Sequence, residues 1–285
     1  MKPIIGGQAV IDGVMMKGPR HYAISIKKTN GNIKTKTESL NNRHFKPFKW
    51  PIIRGFVNLV DMLILGLKSL QWSANEQDNT NEEIGWKEYA FLLATSLGFA
   101  IGLFIIFPLF LTKLITNSKG LAFNVIEGLL RILIFVIYLL IIGLMKDIQI
   151  LFQYHGAEHK AVNCYEAGEK LTLKNAEKFT TSHPRCGTSF ILIVLILSIV
   201  LFSVITSELW LVKFLVRIFF IPLIAGISYE ILHYSTKNKS NPILNMCITP
   251  GLYLQRLTTR EPTKIQLEVA LESLTSVLDK TLKSV

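Results

Sequence analysis

The chain has 285 residues, of which half are hydrophobic and only 18% are charged. A soluble domain usually carries about a quarter charged residues, and here the apolar residues are gathered in long blocks. The composition therefore excludes an ordinary soluble globular protein. The net charge of +11 indicates contact with anionic lipid and a biased topology. No nucleic-acid partner is expected, because no basic stripe interleaved with aromatic residues accompanies a recognisable module.

The three cysteines, Cys164, Cys186 and Cys247, form no CxxC pair and no disulfide framework, which is typical of a reducing compartment. The amino terminus has no basic segment followed by an apolar one, so a signal peptide is not expected. Membrane insertion is therefore expected to start from internal segments.

Residues 1–50 are expected to form a small β-rich region. The stretch 21–27 alternates apolar and polar residues, and Asn30-Gly31 follows it. Asn-Gly favours a type I′ turn, so the pattern predicts a β-hairpin. The glycines of residues 6–16 indicate a preceding strand that bends sharply or meets another backbone closely.

Residues 52–72 are apolar but interrupted by Arg54, Asp61 and Lys68. This pattern predicts an amphipathic helix on the membrane surface or packed against the helix bundle. Residues 73–88 are polar and acidic and are expected to form a loop.

Four apolar blocks are long enough to be membrane spans. The first lies between Glu88 and Lys113 without a formal charge and contains Pro108, which is expected to kink or end it. A span needs roughly 20 apolar residues. The other blocks cover residues 122–145, the uncharged stretch 186–207, and residues 210–232.

The charges of the connecting segments orient these spans. Lysine and arginine are concentrated before the first span, in the loop 146–185 and after the fourth span. The positive-inside rule places both termini and that loop in the cytoplasm. The expected organisation is α-helical, with about four transmembrane helices. Its parts are a β-rich region at 1–50, an amphipathic helix and loop at 51–88, a membrane domain at 89–240 and a carboxyl-terminal segment at 241–285.

The carboxyl-terminal segment is expected to have two parts. Residues 241–262 contain Pro242, Pro250 and Pro262, which predict an irregular but ordered stretch. Thr263 then resembles a helix cap, and the apolar residues after it recur at helical spacing. The sequence therefore predicts a final amphipathic helix.

The motif with the strongest chemical content is His155-Gly-Ala-Glu158-His159. Residues at i and i+4 share one helix face, a spacing that lets two imidazoles bind one metal ion. The pattern H-x-x-E-H is the inverted zincin motif, in which the glutamate acts as a general base. The plainer interpretation is a pair of surface histidines at a cytoplasmic helix end.

Two other segments are expected at the same membrane face. His183 and Cys186 precede the third apolar block, and Glu230 and His233 end the fourth. A Glu-x-x-His pair is known to present two ligands inside helix bundles. Solvation alone also places histidine and acidic residues at helix ends. It accounts for each of the three segments taken separately, but it accounts less well for their expected meeting at one membrane face.

A catalytic zinc site usually takes three protein ligands and leaves a fourth position for water. The preferred ligands are His155, His159 and Glu230. Glu158 is the expected base. His233, His183 and Cys186 stand in reserve for ligation, for support of the ligands or for oxyanion stabilisation.

Cys186 also offers a different chemistry, as a nucleophile with His183 as its base. Pro184 separates the two residues, and no clear third group orients the histidine. This alternative is therefore less favoured than the metal site.

Four blocks of the sequence resemble the YqhQ-like family of bacterial membrane proteins. They are 6–16 (GGQAVIDGVMM), 154–161 (YHGAEHKA), 183–190 (HPRCGTSF) and 250–262 (PGLYLQRLTTREP). One departure is Asp12, where the family has Glu, and the carboxylate is retained. The resemblance implies a multi-pass protein of the bacterial cell membrane and a metal-dependent enzyme of unspecified substrate.

Two functions follow from these observations. The first is a zinc-dependent integral membrane hydrolase that acts at the cytoplasmic interface on a peptide or a lipid-linked molecule. The second is a non-catalytic membrane scaffold or assembly factor in which the metal or polar cluster ties the helices together. Transport is disfavoured for two reasons. The apolar blocks contain few charged residues beyond Glu127 and Arg131, and the sequence shows no pair of broken helices of the kind that forms transporter binding sites.

The topology predicts that reporter fusions after residue 118 and at the carboxyl terminus lie on opposite sides of the membrane. A phosphatase that is active only outside the cytoplasm should be active at the first position and silent at the second. Equal activity of the two fusions would contradict an arrangement of four spans.

Overall fold

In the computed structural model, the described residues are 2–40, 50–78, 85–117, 119–204, 207, 209–238 and 241–283. Four strands come first: β1 Gly6–Val10, β2 Gly13–Lys17, β3 His21–Lys27 and β4 Ile33–Ser39. The helices that follow are α1 Ile53–Asp78, α2 Trp86–Ile101, α3 Phe107–Ile115, α4 Gly120–Ile142, α5 Lys146–Ala167, α6 Leu173–Ala176, α7 Gly187–Ser203, α8 Trp210–Phe219, α9 Ile221–Lys237, α10 Pro242–Thr258 and α11 Lys264–Lys283.

The four strands form one antiparallel sheet in the order β1-β2-β3-β4. The predicted hairpin is confirmed as β3 and β4, with Lys27 opposite Ile33. The turn is longer than type I′, because only Gly31, with φ +87°, has a positive φ in the connecting loop. Gly31 supplies the left-handed residue of this loop, as longer hairpin loops require.

The central strands of the sheet, β2 and β3, are buried on both faces, whereas β4 is largely exposed. Val14 and Met16 of β2 face α5 and α11, whereas Met15 between them faces α1 around Leu65. Successive side chains of a strand point to opposite faces, so a strand covered on both sides needs apolar residues at every position. This explains the run Val14-Met15-Met16, which has no polar alternation.

Two helices are long and apolar enough to cross a membrane, Ala90–Ile115 and Gly120–Ile142. A third candidate is the bent pair Trp210–Phe219 and Ile221–Ser235, whose axes differ by 45°, and α7 is a shorter apolar helix of 17 residues. Among the described residues, two or three helices could therefore span a bilayer by length and composition.

Pro108 does not end the first apolar helix, which continues to Ile115. A π-helical turn, Gly102–Ile106, joins α2 to α3 immediately before Pro108, and the Phe107 N–H bonds to the Gly102 carbonyl. Proline lacks the N–H that an α-helix requires at this position. A π turn is a known way to accommodate such a break while the helix continues.

Residues 241–262 are mainly helical, so the prediction of an irregular stretch is wrong. Pro242 is the first residue of α10, where a missing N–H costs little. Pro250 lies inside the helix, and the next residue, Gly251, packs directly against Ser189 of α7. Packing against α7 therefore outweighs the tendency of Pro250 to break the helix.

Two other boundaries differ from the predictions. The loop expected at 146–185 begins with the whole of α5 and also contains α6. The loop expected from residue 73 begins later, because α1 continues to Asp78, and residues 79–84 lie outside the described residues. In both places polar residues cover one side of a helix whose other side packs against the β-sheet.

The final amphipathic helix is confirmed as α11, together with its cap at Thr263. The Gln266 N–H bonds to Thr263 Oγ1 at 3.4 Å, and the Thr263 N–H bonds to Gln266 Oε1 at 2.8 Å. These reciprocal bonds are a capping box. They start α11 so that Leu267, Ala270 and Leu274 enter the core beneath the sheet.

Replacing Thr263 by Ala should lower the free energy of unfolding by about 1 kcal/mol, because one helix donor loses its acceptor. Thr263→Ser keeps the hydroxyl and is the matched control. Thermal unfolding of the purified full chain measures the effect. Equal melting temperatures for Thr263→Ala and Thr263→Ser would contradict a capping role.

Candidate metal centre

Helix α5 carries three of the candidate residues on adjoining positions of its surface. The i, i+4 spacing brings the rings of His155 and His159 to a centroid distance of 4.4 Å. The helix ends at Gly168, whose φ of +81° provides the left-handed cap that glycine adopts without strain. A continuous helix through the motif, which the spacing of the histidines required, is thus present.

Cys186 joins these histidines from another part of the chain. It is the N-cap residue of α7, and its Sγ accepts a hydrogen bond from the Thr188 N–H at 3.4 Å. The same sulfur lies 3.3 Å from Nε2 of His155. One ligand atom from each of His155, His159 and Cys186 lies within 4.8 Å of the other two.

Backbone carbonyls fix the orientation of both imidazoles. His155 Nδ1 lies 2.8 Å from the Thr258 carbonyl oxygen, and His159 Nδ1 lies 2.6 Å from the Thr181 carbonyl oxygen. A carbonyl only accepts, so each Nδ1 must carry the hydrogen and donate. In the neutral ring, Nε2 then has a free lone pair, which is the state that a metal ligand needs.

Glu158 lies beside this group and is 6% exposed. Its Oε2 is 3.4 Å from Nε2 of His159. Because Nδ1 of His159 carries the hydrogen, Nε2 of the neutral ring is an acceptor, and so is the Glu158 carboxylate oxygen beside it. Two acceptors in a buried contact are unfavourable unless a proton or a cation lies between them. A proton shared between Nε2 of His159 and the Glu158 carboxylate, or a cation bound by both, would satisfy the two acceptors.

Strand β1 closes against Glu158. A Cβ built on Gly7 would lie 2.6 Å from Cγ of Glu158 and 2.9 Å from its Oε1. Only glycine permits such an approach of the strand backbone. The sequence indicated that the strand of residues 6–16 bends sharply or meets another backbone closely. A Cβ on Gly7 would indeed lie 2.9 Å from the Met15 carbonyl oxygen, but its closest contact is with the side chain of Glu158.

His183 lies next to the cluster, with its ring centroid 5.8 Å from that of His159. Its Nδ1 accepts from the Arg185 N–H at 3.3 Å, so the hydrogen of the neutral ring is on Nε2, which lies 3.6 Å from the Glu166 carboxylate. Gln255 of α10 bonds both the backbone N–H and the carbonyl of His183. This position suits support of the ligands rather than ligation.

Glu230 and His233 are not part of the cluster. Both carboxylate oxygens of Glu230 accept from Arg54, with Nε to Oε1 at 2.7 Å. His233 stacks on Tyr229 with 6.0 Å between the ring centroids. The expected set of His155, His159 and Glu230 is therefore not what the structure brings together, because Arg54 holds Glu230. The third residue beside His155 and His159 is instead Cys186, which the sequence favoured only as a secondary candidate ligand.

Cys164 is the other buried cysteine of the region, and its surroundings differ. Burial is the largest cause of the raised pKa of its thiol, and Sγ donates to the Lys170 carbonyl at 3.6 Å. It belongs to the apolar core under the sheet. Cys164 is thus a structural thiol, in contrast to Cys186.

Sequence reasoning missed the carbonyls of Thr181 and Thr258 and the clamp formed by Gln255. Backbone carbonyls leave no signature in residue types, so no pattern could have identified the first two. Gln255 and Thr258 do lie in the block 250–262. This block is one of the four that resemble the family, but the resemblance assigned no role to its residues.

The fold and the cluster define a class: a mainly helical protein with an amino-terminal β-sheet, two to three helices apolar enough for a membrane, and a group of two histidines and one cysteine. Within this group His159 and Cys186 are buried and His155 is partly buried. The family model described as "Protein of unknown function (DUF1385)" matches residues 50–280. The chain belongs to this family. It is 34% identical over 297 aligned positions to "Uncharacterized protein YqhQ" of Bacillus subtilis (strain 168), covering 97% of this chain and 92% of that protein. No solved structure matches it significantly.

Gly156 is the point where α5 touches the segment after α10. A Cβ there would lie 2.1 Å from the Arg260 carbonyl oxygen, so Gly156→Ala must push the two apart. We expect this overpacking to cost about 1–3 kcal/mol and to loosen the His155 contact with Thr258. Melting temperature measures the first effect.

Gly98 is the matched control for Gly156, because it is a helical glycine with nothing within 4 Å of a built Cβ. Gly98→Ala should leave the melting temperature unchanged or raise it slightly, since alanine favours helix. A Gly156→Ala protein as stable as the Gly98→Ala protein would contradict the close approach of residue 156 to the Arg260 carbonyl oxygen.

Proposed function

We propose that this protein is a zinc-dependent hydrolase that works at the cytoplasmic face of a bacterial cell membrane. The observation that carries the proposal is the fixed tautomer of two imidazoles. His155 and His159 both donate through Nδ1 to backbone carbonyls, so the Nε2 lone pair of His155 faces Cys186 Sγ and that of His159 faces Glu158. This is the hydrogen-bond pattern that supports metal-ligating histidines.

The donor set suits zinc. Imidazole nitrogen and thiolate sulfur are its common ligands, and bond lengths of roughly 2.0–2.3 Å put ligand atoms of a tetrahedral site about 3.5 Å apart. The distance of 3.3 Å between His155 Nε2 and Cys186 Sγ agrees with that value, and the other pairs are within 4.8 Å. Three protein ligands leave a fourth position for water, as in catalytic rather than structural sites.

Glu158 is the proposed general base. Zinc held by His155, His159 and Cys186 would polarise a substrate carbonyl and make a water molecule acidic enough to ionise near neutral pH. In this proposal the Glu158 carboxylate, which lies 3.4 Å from Nε2 of His159, accepts a proton from water and returns it to the leaving group. Gly7 of β1 packs against this carboxylate and limits its motion.

The membrane arrangement in the proposal has four spans, formed by α2–α3, α4, α7 and the bent pair α8–α9. The cluster lies at the start of α7 and on the helix that follows α4, which puts it at one end of two spans. The basic segments then place this end and both termini in the cytoplasm. A site at this level would receive a peptide or a lipid-linked substrate from the interface.

Helix α1 is consistent with contact with lipid. Val60, Leu63 and Ile64 are exposed on it, whereas Leu65 is buried against the sheet. A helix with an outer apolar face and an inner one packed on the protein suits the membrane interface. Lipid is therefore the expected neighbour of α1.

The alternative is a non-catalytic scaffold or assembly factor in which a structural metal or polar cluster ties the helices together. In its metal-free form His155, His159, Cys186 and Glu158 share protons, and the same contacts join α5, α7 and the end of α10. The metal-free form predicts a protein without stoichiometric metal that keeps its stability when a chelator is added, whereas the form with a structural metal predicts bound metal without hydrolysis.

Elemental analysis of the purified full chain separates the zinc site from the metal-free scaffold. We expect about one zinc per chain, lost in His155→Ala, His159→Ala and Cys186→Ser because each removes a ligand. Glu230→Gln is the control and should retain zinc, since Arg54 holds that carboxylate. Metal-free wild type, or a full metal content in all three ligand variants, would rule out the site.

Glu158→Gln separates binding from catalysis. The variant should retain zinc but lose nearly all hydrolysis of a fluorogenic peptide library or of lipid-linked substrates in vesicles, because the amide cannot take up a proton. Loss of zinc from Glu158→Gln would instead make Glu158 a ligand. Unchanged hydrolysis would remove it from the reaction.

A further inference from the structure

A second polar cluster lies between α4, α7 and α8, away from the candidate metal centre. Ser198 is about 18 Å along α7 from Cys186 at the helical rise of 1.5 Å per residue. It accepts a hydrogen bond from Arg131 of α4 at 2.9 Å. Ionisable groups among apolar helices are costly unless paired and mark functional sites.

The cluster centres on one carboxylate held by two guanidinium groups. Glu127 of α4 pairs through one oxygen with Arg131 and through the other with Arg217 of α8, the latter at 2.9 Å. All three side chains are nearly inaccessible, with exposed fractions of 1%, 6% and 2%. Arg217 also bonds to Asn124 at 3.2 Å.

The charges in this triad do not balance. Arginine remains protonated in proteins, so two guanidinium groups against one carboxylate leave a positive charge in a poorly solvated place. Moreover, Nε of Arg131 and Nε of Arg217 are both buried without a hydrogen-bond partner in the described part of the chain. Each arginine thus has a donor that the protein's described groups do not satisfy.

The two guanidinium groups are held as a pair. Both lie over the ring of Phe202, at 5.7 Å for Arg131 and 5.0 Å for Arg217. Arg131 lies on α4, whereas Arg217 lies on α8, which is ten residues long and meets α9 at an angle of 45°.

We propose that Arg131 and Arg217 form a binding site for the oxyanion of a phosphate group. A phosphate offers oxygens to the two unsatisfied Nε donors and supplies the missing negative charge. Glu127 limits the affinity, because it already occupies one donor of each arginine. The phosphate is that of a lipid headgroup or a free phosphate ion, which the experiment distinguishes.

Binding is measured on the full chain in neutral detergent with dihexanoyl phosphatidylglycerol, dihexanoylglycerol and inorganic phosphate as probes. Wild type should bind the phosphatidylglycerol and not the diacylglycerol, which has the same chains without phosphate. Inorganic phosphate that binds as tightly identifies the free ion as ligand. Inorganic phosphate that neither binds nor competes identifies the lipid headgroup.

Two substitutions should change the affinity in opposite directions. Arg217→Gln leaves Arg131 neutralised by Glu127 and should raise the Kd about tenfold or more, the loss expected for one charge-assisted contact. Glu127→Gln releases both arginines and should lower the Kd. Arg256→Gln removes an exposed arginine of α10 and controls for general charge effects.

A closed ion-pair network gives a different result. It predicts that wild type does not distinguish phosphatidylglycerol from diacylglycerol, or that Arg217→Gln and Glu127→Gln change the Kd in the same direction. Either result overturns the proposal. If Arg217→Gln does not fold, Arg217→Lys keeps the charge but not the fork, and a Kd equal to that of wild type would equally overturn it.

Discussion

The contact between α5 and the end of α10 is the constraint on which the candidate metal centre depends. Gly156 lets the backbone of α5 come against the carbonyl of Arg260, and this approach brings the Thr258 carbonyl within reach of His155. A side chain at residue 156 would hold the two segments apart. The orientation of His155 therefore depends on the absence of a side chain at the next residue, Gly156.

The same segment organises the opposite side of the cluster. Gln255 of α10 bonds both backbone groups of His183, and its amide also donates to Ser189 of α7. These bonds fix the turn that leads into Cys186. Helix α10, whose prolines led us to expect an irregular stretch, is therefore the element that positions both histidine and cysteine.

The parts of this arrangement that the sequence could predict are those with local causes. The i, i+4 spacing of His155 and His159 required a helix, and the hairpin around Gly31 required a left-handed residue. Glu230 could not be excluded as a ligand, because its partner Arg54 is distant in sequence and any arginine could have served. The course of α10 could not be predicted either, since tertiary packing against α7 outweighs a proline that taken alone predicts a break.

The two polar clusters lie at different levels of α7 and differ in character. Near Cys186, nitrogen and sulfur lone pairs converge and suit a cation or a proton, whereas near Ser198 guanidinium groups converge and suit an anion. X-ray absorption at the zinc edge of the purified protein tests the first of these most directly. We expect one sulfur neighbour at about 2.3 Å and two imidazole nitrogens at about 2.0–2.1 Å. A zinc spectrum without sulfur, or a protein without bound zinc, would contradict a centre built from His155, His159 and Cys186.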